Sequence, residues 1–428
     1  MIIKNFKKLA TNSEKKIALE ILEAGIYAAM PQHSLQKIVR KDRLDIDNTR
    51  ISLSKYRKIF VIAFGKAADS MAKGIFSLIP VDGGIIVIPK NSCTVFNNEK
   101  FKIFHAGHPV PDKQSVKAAK TILKFLKQRK RTDFIIFLVS GGGSSLVSIP
   151  DGITLNEKKI TTDLLLKSGA NIPEINCIRK HLSKIKGGKM TEHLSCDAAS
   201  LVMSDVVGDD LSVIASGATF CDRTTFNDAK KILEKHDLKK SVPKSVLQRI
   251  NLGMAGRVPE TPKTTKIPNY MIASNKDCLD AMAKKAKRLG LKTKVVYPVS
   301  GDVKHAAKKL AKSIPKGSKF CLVFGGETTV RVTGPGKGGR NQELVLYALN
   351  EVQKSNNIVT IASIGTDGKD GNTDACGAIV SSKESKFKDT HSFLQNNNSY
   401  YFFKKHGGLI FTGPTHTNLM DIGIILRQ

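Results

Sequence analysis

The stretch "FIIFLVSGGGSS", residues 134–145, decides the fold class of this chain. Its apolar first half is typical of a buried strand, and the glycines and serines that follow end that strand abruptly. Similar β-branched runs recur along the chain: "KIFVIAF", "GGIIVIP" and "ASLVMSD" in the first half, and "NYMIAS", "KTKVVYP", "KFCLVFGG", "TTVRVT" and "IVTIASIG" in the second. Helical segments lie between them. The sequence therefore predicts an α/β fold with mostly parallel sheets.

Polar or glycine-rich residues follow most of these predicted strands. The positions are Gly65 and Lys66, Gly141 to Ser145, Asp205 to Asp210, Asn275, Glu327, and Thr366 to Gly368. In open parallel sheets, ligands bind beyond the carboxyl ends of the strands. We therefore expect these residues to contribute to a binding site, and their recurrence is a stronger signal than any one motif.

The segment "SGGGSS", Ser140–Ser145, is the clearest candidate for binding an anion. Consecutive glycines allow backbone N–H groups to point toward one place, and serine hydroxyls add further donors. The alternative is a tight turn from strand to helix, although a turn does not require three glycines. The segment matches neither the phosphate-binding G-x-x-x-x-G-K-[ST] loop nor the G-x-S-x-G motif of hydrolases.

Lys66 follows a predicted strand and precedes the helical segment "KAADSMAKG". An ammonium group at a helix N-terminus is unfavourable by itself, because the helix dipole is positive there. A bound anion would remove that conflict. A lysine that simply faces solvent is an equally good interpretation of this position taken alone.

The segment "TGPGKGGRNQE", residues 333–343, has a G-x-G-x-x-G spacing at Gly334, Gly336 and Gly339. A dinucleotide-binding turn has this spacing, with an acidic residue at the end of the next strand. Here Asp367 comes late, and the cations Lys337 and Arg340 would crowd such a turn. Flexible glycines beside two cations suit phosphate binding better, so we expect a flexible strap that delivers Arg340 to a phosphoryl group. Its glycines are expected to allow close approach and hinge freedom.

Two further motifs contain metal-binding residue types. The run "GTDGKDGNTDACG", residues 365–377, begins like a calcium loop, but Ala375 and Ser381 stand where glycine and glutamate are required. Asp367 within it suits Mg²⁺ or a base, or an Asx-turn that uses the same residue. In "HAGHPVPD", His105 and His108 resemble a metal pair but lack a third ligand, which favours a structural role.

The chain has 428 residues and a net charge of +32, which raises the possibility of a nucleic-acid-binding protein. The excess is mostly lysine spread along helices, without interleaved aromatic residues, so solvated helix faces are the better interpretation. No apolar run is long enough to span a bilayer, and the N-terminus lacks the apolar core of a signal peptide. The 7 cysteines are scattered without C-x-x-C pairs, as expected of reduced thiols in the cytoplasm.

A set of motifs covering nearly the whole chain resembles the class II glycerate 2-kinases, whose C-terminal part is the MOFRL domain. The motifs are "FGKAADSMAKG", "GHPVPD", "LVSGGGSSL", "IRKHLSKIKGG", "SDVVGDDL", "IASGATFCDRTT", "GGETTVRVTGPGKGGRNQE", "GTDGKDGNTDACGA" and "TGPTHTNLMDI". The sequence departs from the usual family pattern at Val207, Ala218, Cys221 and Asn372, where proline is common, and at His416, where glycine is common. None of these departures removes a charged group of the expected site.

The resemblance implies ATP- and Mg²⁺-dependent phosphorylation of the 2-hydroxyl of D-glycerate, in two α/β domains with the active site in the cleft between them. The Pro-bearing segment "AGRVPETPKTTKIPN" predicts the division, with a Rossmann-like domain at residues 1–255 and the MOFRL domain at residues 256–428. Members of this family are often labelled hydroxypyruvate reductases, so an NAD(P)H-dependent reductase is the alternative. We expect a cytoplasmic monomer or homodimer that binds neither nucleic acid nor membrane.

The resemblance places the family's essential lysine at Lys66 and its essential arginine at Arg340. We expect Asp205 or Asp367 to orient the attacking hydroxyl, and one or more of Asp205, Asp209 and Asp367 to hold Mg²⁺. The expected nucleotide-binding residues are Ser140, Gly141, Gly142, Gly143, Ser144, Ser145, Asn275, Glu327 and Asn341.

Overall fold

The computed structural model describes residues 1–314, 319–354, 358–383 and 389–427. The chain forms two compact units. The first, here called the parallel-sheet unit, is Leu35–Ile272. The second, the mixed-sheet unit, combines Met1–Ser34 with Ala273–Gln428.

Helices and strands alternate through most of the described residues. The helices are α1 (Phe6–Leu9), α2 (Ser13–Ala29), α3 (Pro31–Ile38), α4 (Ala68–Leu78), α5 (Lys113–Lys127), α6 (Gly143–Leu146), α7 (Leu155–Lys167), α8 (Ile172–His181), α9 (Phe226–Lys235), α10 (Lys244–Met254), α11 (Asn275–Arg288), α12 (Val303–Lys312), α13 (Arg340–Lys354), α14 (Thr390–Gln395) and α15 (Ser399–His406). The strands are β1 (Val39–Arg40), β2 (Arg43–Ile46), β3 (Thr49–Ser52), β4 (Lys58–Phe64), β5 (Gly83–Pro89), β6 (Phe101–Ala106), β7 (Asp133–Val139), β8 (Asp197–Met203), β9 (Asn269–Ala273), β10 (Lys292–Asp302), β11 (Phe320–Thr329), β12 (Thr360–Gly365), β13 (Gly377–Ser381), β14 (Leu409–Ile410) and β15 (Asp421–Arg427).

The parallel-sheet unit is built on a sheet with the strand order β6-β5-β4-β7-β8-β9. Strands β4 to β8 pair in parallel with their neighbours, as the Rossmann-like prediction requires. Every residue of β7 is buried, which explains its continuous apolar sequence. Apolar side chains of the sheet pack with those of α5 in one core, while α8, α9 and α10 contribute to a second. A small antiparallel sheet, β1-β2-β3, completes this unit.

The strand order of the parallel sheet reverses between β4 and β7. From β4 the chain passes to β5 and β6 on one side, and then returns to β7 and β8 on the other. The loops after β4 and β7 therefore leave the same edge in opposite directions and open a crevice there. Lys66 and the Ser140–Ser145 segment lie at this switch point.

The mixed-sheet unit contains a second six-stranded sheet, in the order β10-β11-β15-β12-β13-β14. Only the β10–β11 pair is parallel among the pairs described, so the expectation of mostly parallel sheets is wrong for this unit. The expected separate strand "TTVRVT" is also wrong, because β11 runs on from Phe320 to Thr329 and ends there. Strand β15, which sequence patterns did not identify, is inserted antiparallel between β11 and β12.

The N-terminal helices explain why the structural units differ from the expected division at residues 255 and 256. Helix α2 packs against α11 and β15, and therefore joins the C-terminal part of the chain. Gly25 permits this approach, since a Cβ there would lie 2.7 Å from Ile422 Cδ1 and 2.8 Å from Met282 Cγ. At the other end, β9 extends the parallel sheet beside β8, which keeps the chain up to Ile272 in the first unit.

Within the part of the chain that the structure describes, the helices lack the combination of length and apolar character needed to cross a bilayer.

Candidate functional site

The loop after β7, together with Lys66, His108 and Asp205, forms what we call the glycine-loop site. Lys66 donates its backbone N–H to the carbonyl of Gly141 at 2.8 Å, which ties the loops after β4 and β7 together. Ser140 Oγ strengthens this contact by accepting from the backbone N–H of Ala67 at 3.1 Å. Lys66 therefore lies two residues before α4, beside the glycines, as the sequence predicted.

The three glycines of this loop are there because other groups come too close for a side chain. A Cβ on Gly142 would lie 2.9 Å from His108 Nε2 and 3.3 Å from Lys66 Cγ, and the φ of Gly142 is +80°. A Cβ on Gly141 would collide with the Asp205 carboxylate, and one on Gly143 would meet Phe64 and Ala215. The loop thus brings a lysine, a histidine and a carboxylate against bare backbone.

Accessibility separates the residues of this loop into two groups. Gly142, Ser144, Lys66, His108 and Asp205 are partly exposed and line the site. Ser140, Gly141, Gly143 and Ser145 are buried, and Ser145 Oγ donates to the Gly142 carbonyl at 3.1 Å. The second group shapes the loop from within, so direct contact of its side chains with a ligand stays a prediction.

His108 is a functional candidate that the sequence reasoning set aside as structural. Its ring lies against Gly142 in the site. Burial, together with a smaller effect of the neighbouring Lys66 ammonium, lowers the pKa of His108 to about 4. The imidazole is therefore neutral near pH 7. The signal that was available is its position directly after β6, at the same sheet edge as the other loops.

Two carboxylates in the loop after β8 suit a divalent cation. Asp205 lies beside Gly141 and is partly exposed. Asp209 has a buried Oδ1 that lacks a hydrogen-bond partner among the described residues, and a cation would satisfy it. Within the described ranges no three His, Cys, Asp or Glu side chains come together as a metal-binding group. Mg²⁺ commonly takes only one or two protein carboxylates with substrate phosphates, so the residues present fit it.

In the mixed-sheet unit, Arg340 is the centre of a second cluster, here called the arginine site. Arg340 Nε and Nη2 donate to the two oxygens of Asp421 at 2.6 and 3.1 Å, and Nη1 donates to Glu327 at 2.5 Å. Burial disfavours the charge on Arg340, but the carboxylates of Asp421 and Glu327 outweigh it and raise its pKa. The guanidinium is therefore a permanent cation whose side chain is still 35% exposed.

Strand register explains how the arginine site is assembled. Asp421 begins β15 and pairs with Gly326 on β11 and with Gly365 on β12. Glu327 follows Gly326 directly, and Asp367 comes two residues after Gly365. Asp421 was missed from the sequence because its strand was not recognised. The Asp367 carboxylate accepts from the backbone N–H of Lys369 at 3.1 Å, which is the Asx-turn considered as its alternative role.

Asp370 caps the helix that carries Arg340. Its carboxylate accepts from the backbone N–H groups of Asn341 at 3.0 Å and Gln342 at 2.9 Å, at the first turn of α13. Burial raises the pKa of Asp370 to about 6, although the N–H donors of Asn341 and Gln342 oppose the shift. The capping fixes the start of α13, and with it the position of Arg340.

Asn341 and Asn275 are used inside the mixed-sheet unit. Asn341 is buried. Its carboxamide oxygen accepts from Ser363 Oγ at 2.6 Å, and its amide nitrogen donates to the Asp370 carboxylate at 3.3 Å. Asn275 is also buried, and its amide donates to the backbone carbonyls of Leu419 and Asp421 at 2.7 and 2.9 Å. Both residues support the arginine site from behind, and their predicted contact with a nucleotide stays a prediction.

The glycine segment before Arg340 packs closely against Asn396 and Asn397, so the close approach expected of its glycines is present, while the expected hinge freedom stays a prediction. The Asn397 carboxamide oxygen accepts from the N–H groups of Thr333 and Gly334 at 2.7 and 3.0 Å. Gly336 donates to the Asn396 carbonyl at 2.9 Å. A Cβ on Gly334 or Gly336 would meet the backbone of Asn396. These glycines serve close approach of two backbone segments, which leaves them no free turn for a pyrophosphate.

His416, one of the departures from the usual family pattern, has a φ of +56°. This is the left-handed region, which glycine adopts more readily than other residues. Glycine would adopt this conformation without the steric cost that a histidine Cβ brings.

The fold and the glycine-loop site together define an α/β protein that presents backbone donors, a lysine and carboxylates at the switch point of a parallel sheet. Known protein families with matching sequences identify this protein more closely. The sequence matches the Domain of unknown function (DUF4147) over residues 17–251 and the MOFRL family over residues 320–421.

Related proteins match almost the whole chain. A glycerate 2-kinase of Pyrococcus horikoshii is 40% identical, over 96% of this chain and 97% of the relative. The crystal structure of a glycerate kinase from Thermotoga maritima is similar with a TM-score of 0.83 at 36% identity, over 96% of this chain and 99% of that one. A protein of Agrobacterium vitis named putative hydroxypyruvate reductase is 36% identical, over 86% of both chains. The chain belongs to the MOFRL family of glycerate 2-kinases.

Proposed function

We propose that this protein is an ATP-dependent glycerate 2-kinase, which transfers a phosphoryl group to the 2-hydroxyl of D-glycerate and yields 2-phosphoglycerate and ADP. The observation that carries the proposal is the similarity to glycerate 2-kinases along nearly the whole chain. The chemistry of the glycine-loop site supports it, because a partly exposed glycine, Gly142, beside a lysine suits a phosphate group.

In this proposal the ATP phosphates bind to the glycine loop. Gly142 and Ser144 are its accessible members, and Lys66 and His108 flank Gly142. The Lys66 ammonium neutralises negative charge on the phosphates, while neutral His108 offers a hydrogen bond without adding charge. Phosphoryl transfer depends mainly on positioning and on charge stabilisation, so these residues need not form a covalent intermediate.

Mg²⁺ fits the carboxylates of the loop after β8. Asp205 and Asp209 would hold it, and Asp367 is a further candidate in the mixed-sheet unit. Bound with the nucleotide, Mg²⁺ supplies charge neutralisation on the phosphate oxygens.

Arg340 is proposed to bind an anionic group of the reactants, either the transferring phosphoryl group or the carboxylate of glycerate. Its charge is permanent, and the contacts with Asp421 and Glu327 hold the guanidinium in a fixed orientation. During transfer, the 2-hydroxyl oxygen forms a bond to the γ-phosphorus while the bond to the ADP oxygen breaks. The hydroxyl proton passes to a carboxylate, for which Asp205 and Asp367 are the candidates.

The deciding experiment compares two reactions with the same purified protein. Glycerate, ATP and Mg²⁺ should yield ADP and 2-phosphoglycerate, with the position of the phosphate identified by ³¹P NMR. When the protein is mixed with hydroxypyruvate and NADH or NADPH, the absorbance of the reduced nicotinamide should stay unchanged. Oxidation of the nicotinamide without ADP formation would establish the reductase instead. The packed glycines before Arg340 count against that alternative, since they offer no turn for a dinucleotide.

Substitution of Lys66 tests the proposed site within that reaction. Loss of a preorganised charge donor typically lowers turnover by about 10²–10³-fold. The turnover of the Lys66→Met variant and that of the Arg340→Met variant should each fall by at least that factor. Lys73→Met is the control for Lys66, because Lys73 lies on α4, the helix that follows Lys66, and is exposed. Near-normal turnover in both site variants would remove these two residues from the mechanism.

The proposal includes a cytoplasmic enzyme that acts as a monomer or a homodimer. Scattered cysteines without paired spacing support a reducing compartment. Light scattering of the purified protein measures its oligomeric state directly.

A further inference from the structure

Lys186 lies behind the glycine loop in the parallel-sheet unit and is fully buried. Its ammonium nitrogen donates to the backbone carbonyl of Ser144 at 2.6 Å and to Ser144 Oγ at 3.2 Å. Among the described residues, no carboxylate forms an ion pair with Lys186, although buried lysines are normally paired in this way. The lysine therefore uses its donors on a single residue of the loop.

The charges near Lys186 are also unusual. Lys158 is buried as well, and its ammonium donates to Ser148 Oγ at 3.2 Å. Burial lowers the pKa of Lys186 well below its ordinary range, and the nearby cations Lys158 and Arg179 lower it further. Two buried lysines for which the described residues provide no ion-pair partner are unfavourable by themselves. An anion bound at the accessible face of the glycine loop would favour the protonated form of Lys186.

A second set of contacts holds Ser144 from the other side. Ser144 Oγ forms a short hydrogen bond with Ser216 Oγ. Ser216 Oγ in turn donates to Asn176 Oδ1 at 2.9 Å. Ala215 and Ser216 have φ values of +49° and +55°, in the left-handed region that is sterically unfavourable for residues with a Cβ. Such strain persists where surrounding structure fixes it, and it is concentrated at functional sites.

We propose that Lys186 is a positioning residue for the nucleotide: it fixes Ser144 through two hydrogen bonds, so that the glycine loop presents its donors to the ATP phosphates, and it places a positive charge behind them. Because the side chain is fully buried, Lys186 acts through Ser144 rather than by touching the substrate. The inference rests on the proposed kinase function and gives a role to Lys186, which lies within the motif "IRKHLSKIKGG".

The test uses Lys186→Met, Lys186→Arg and the matched control Lys158→Met in the full-length protein. Lys158 is also buried, but its ammonium donates to Ser148, outside the glycine loop. Lys186→Met should raise the KM for ATP and the Kd for Mg-ADP at least tenfold, with a much smaller change in the KM for glycerate. Lys186→Arg, which keeps the charge and the donors, should recover part of the binding. Lys158→Met should bind Mg-ADP within about threefold of the unsubstituted protein.

Ser216→Ala tests the same inference without altering a buried charge. It removes the other hydrogen bond to Ser144 and should also weaken Mg-ADP binding, by a smaller factor than Lys186→Met. If Lys186→Met does not fold, the Mg-ADP affinity of Ser216→Ala shows whether the hydrogen bonds that hold Ser144 support nucleotide binding.

The inference is overturned if a folded Lys186→Met binds Mg-ADP as tightly as the unsubstituted protein, or if Lys158→Met loses as much affinity as Lys186→Met. A folded Lys186→Arg variant that binds no better than Lys186→Met would also contradict it. Calorimetric binding of Mg-ADP is measured separately from turnover. If the protein binds Mg-ADP but does not phosphorylate glycerate, the proposed function is refuted. The Mg-ADP affinities of the variants would still test whether Lys186 positions the nucleotide.

Discussion

Replacing Arg340 by methionine should lower both stability and turnover, and the two effects can be separated. Arg340 donates three hydrogen bonds, two to Asp421 and one to Glu327. Methionine removes the charge and all three donors but keeps an unbranched side chain that suits α13. The variant leaves the Asp421 carboxylate, only 10% exposed in its side chain, without its guanidinium partner.

The size of the stability loss follows from how little of the Asp421 side chain is exposed to water. Removing one partner of a buried ion pair costs about 3–5 kcal/mol, because the remaining charge stays buried. The Arg340 side chain is 35% exposed, so the lower end of the range, about 3 kcal/mol, is expected. Glu327 adds little to this, because its side chain is 44% exposed and water replaces the lost contact.

The double variant Arg340→Met, Asp421→Asn separates the structural from the catalytic contribution. Asparagine has nearly the shape of aspartate without its charge, so the double variant no longer carries an unpaired buried carboxylate. Its free energy of unfolding should recover by about 2 kcal/mol relative to Arg340→Met, because the penalty of an unpaired charge is relieved. Its turnover should remain at least about 100-fold below normal, because the guanidinium is still missing.

Urea unfolding measures the first quantity, and a coupled assay of ADP release from glycerate and ATP measures the second. The single variant Asp421→Asn is the control, since it keeps Arg340 in place. If turnover of the double variant recovers together with its stability, Arg340 serves only the fold, and its proposed role in phosphoryl transfer is refuted.

Three further predictions follow from the same sites. Gly142→Ala should lose about 1–2 kcal/mol from its left-handed φ and should also raise the KM for ATP, because the new methyl lies 2.9 Å from His108. Gly169→Ala is its control, with a φ of +78° and nothing within 4 Å; equal KM values in the two variants would contradict the prediction. Asp205→Asn should raise the Mg²⁺ concentration for half-maximal turnover at least tenfold, whereas the exposed Asp210→Asn should not, as Mg²⁺ titrations would reveal. Burial raises the pKa of Glu343 to about 7, against a hydrogen bond from Asn397 and with help from Asp370 and Asp302. Stability contributed by this group is therefore present below pH 4.5 and lost as the pH rises through 7. Glu343→Gln should gain about 3 kcal/mol relative to the unsubstituted protein between pH 4.5 and pH 8 in urea unfolding, and a pH-independent difference would refute this.

Local sequence patterns were sufficient for the elements whose signals lie within a few residues. The run before Ser140 predicted a buried strand, which is β7. The turn from strand to helix, which was the alternative to anion binding for the glycines, is also present, at the start of α6. The segment from Arg340 onward predicted a helix, which is α13. Lys66 was located correctly before a helix, because a short strand and a glycine precede it directly. In each case neighbouring residues supply the whole signal.

The short strands of the mixed sheet were not predictable in the same way. Strand β15 is buried along most of its length, and its sequence "DIGIILR" lacks the alternation that identifies a strand with one exposed face. Its antiparallel position between β11 and β12 depends on pairing with segments about 60 and 100 residues earlier. The expectation of parallel sheets failed there for that reason.

The sequence by itself determined the α/β class of the parallel-sheet unit and, through its motifs, the family of kinases that the chain resembles, and it predicted that the glycine loop binds an anion. The tertiary structure alone decided which side chains meet. It placed His108 against Gly142, Lys186 behind Ser144 and Asp421 beneath Arg340. Their partners are far away along the chain, and a single sequence carries no signal for contacts that strand order and loop packing create.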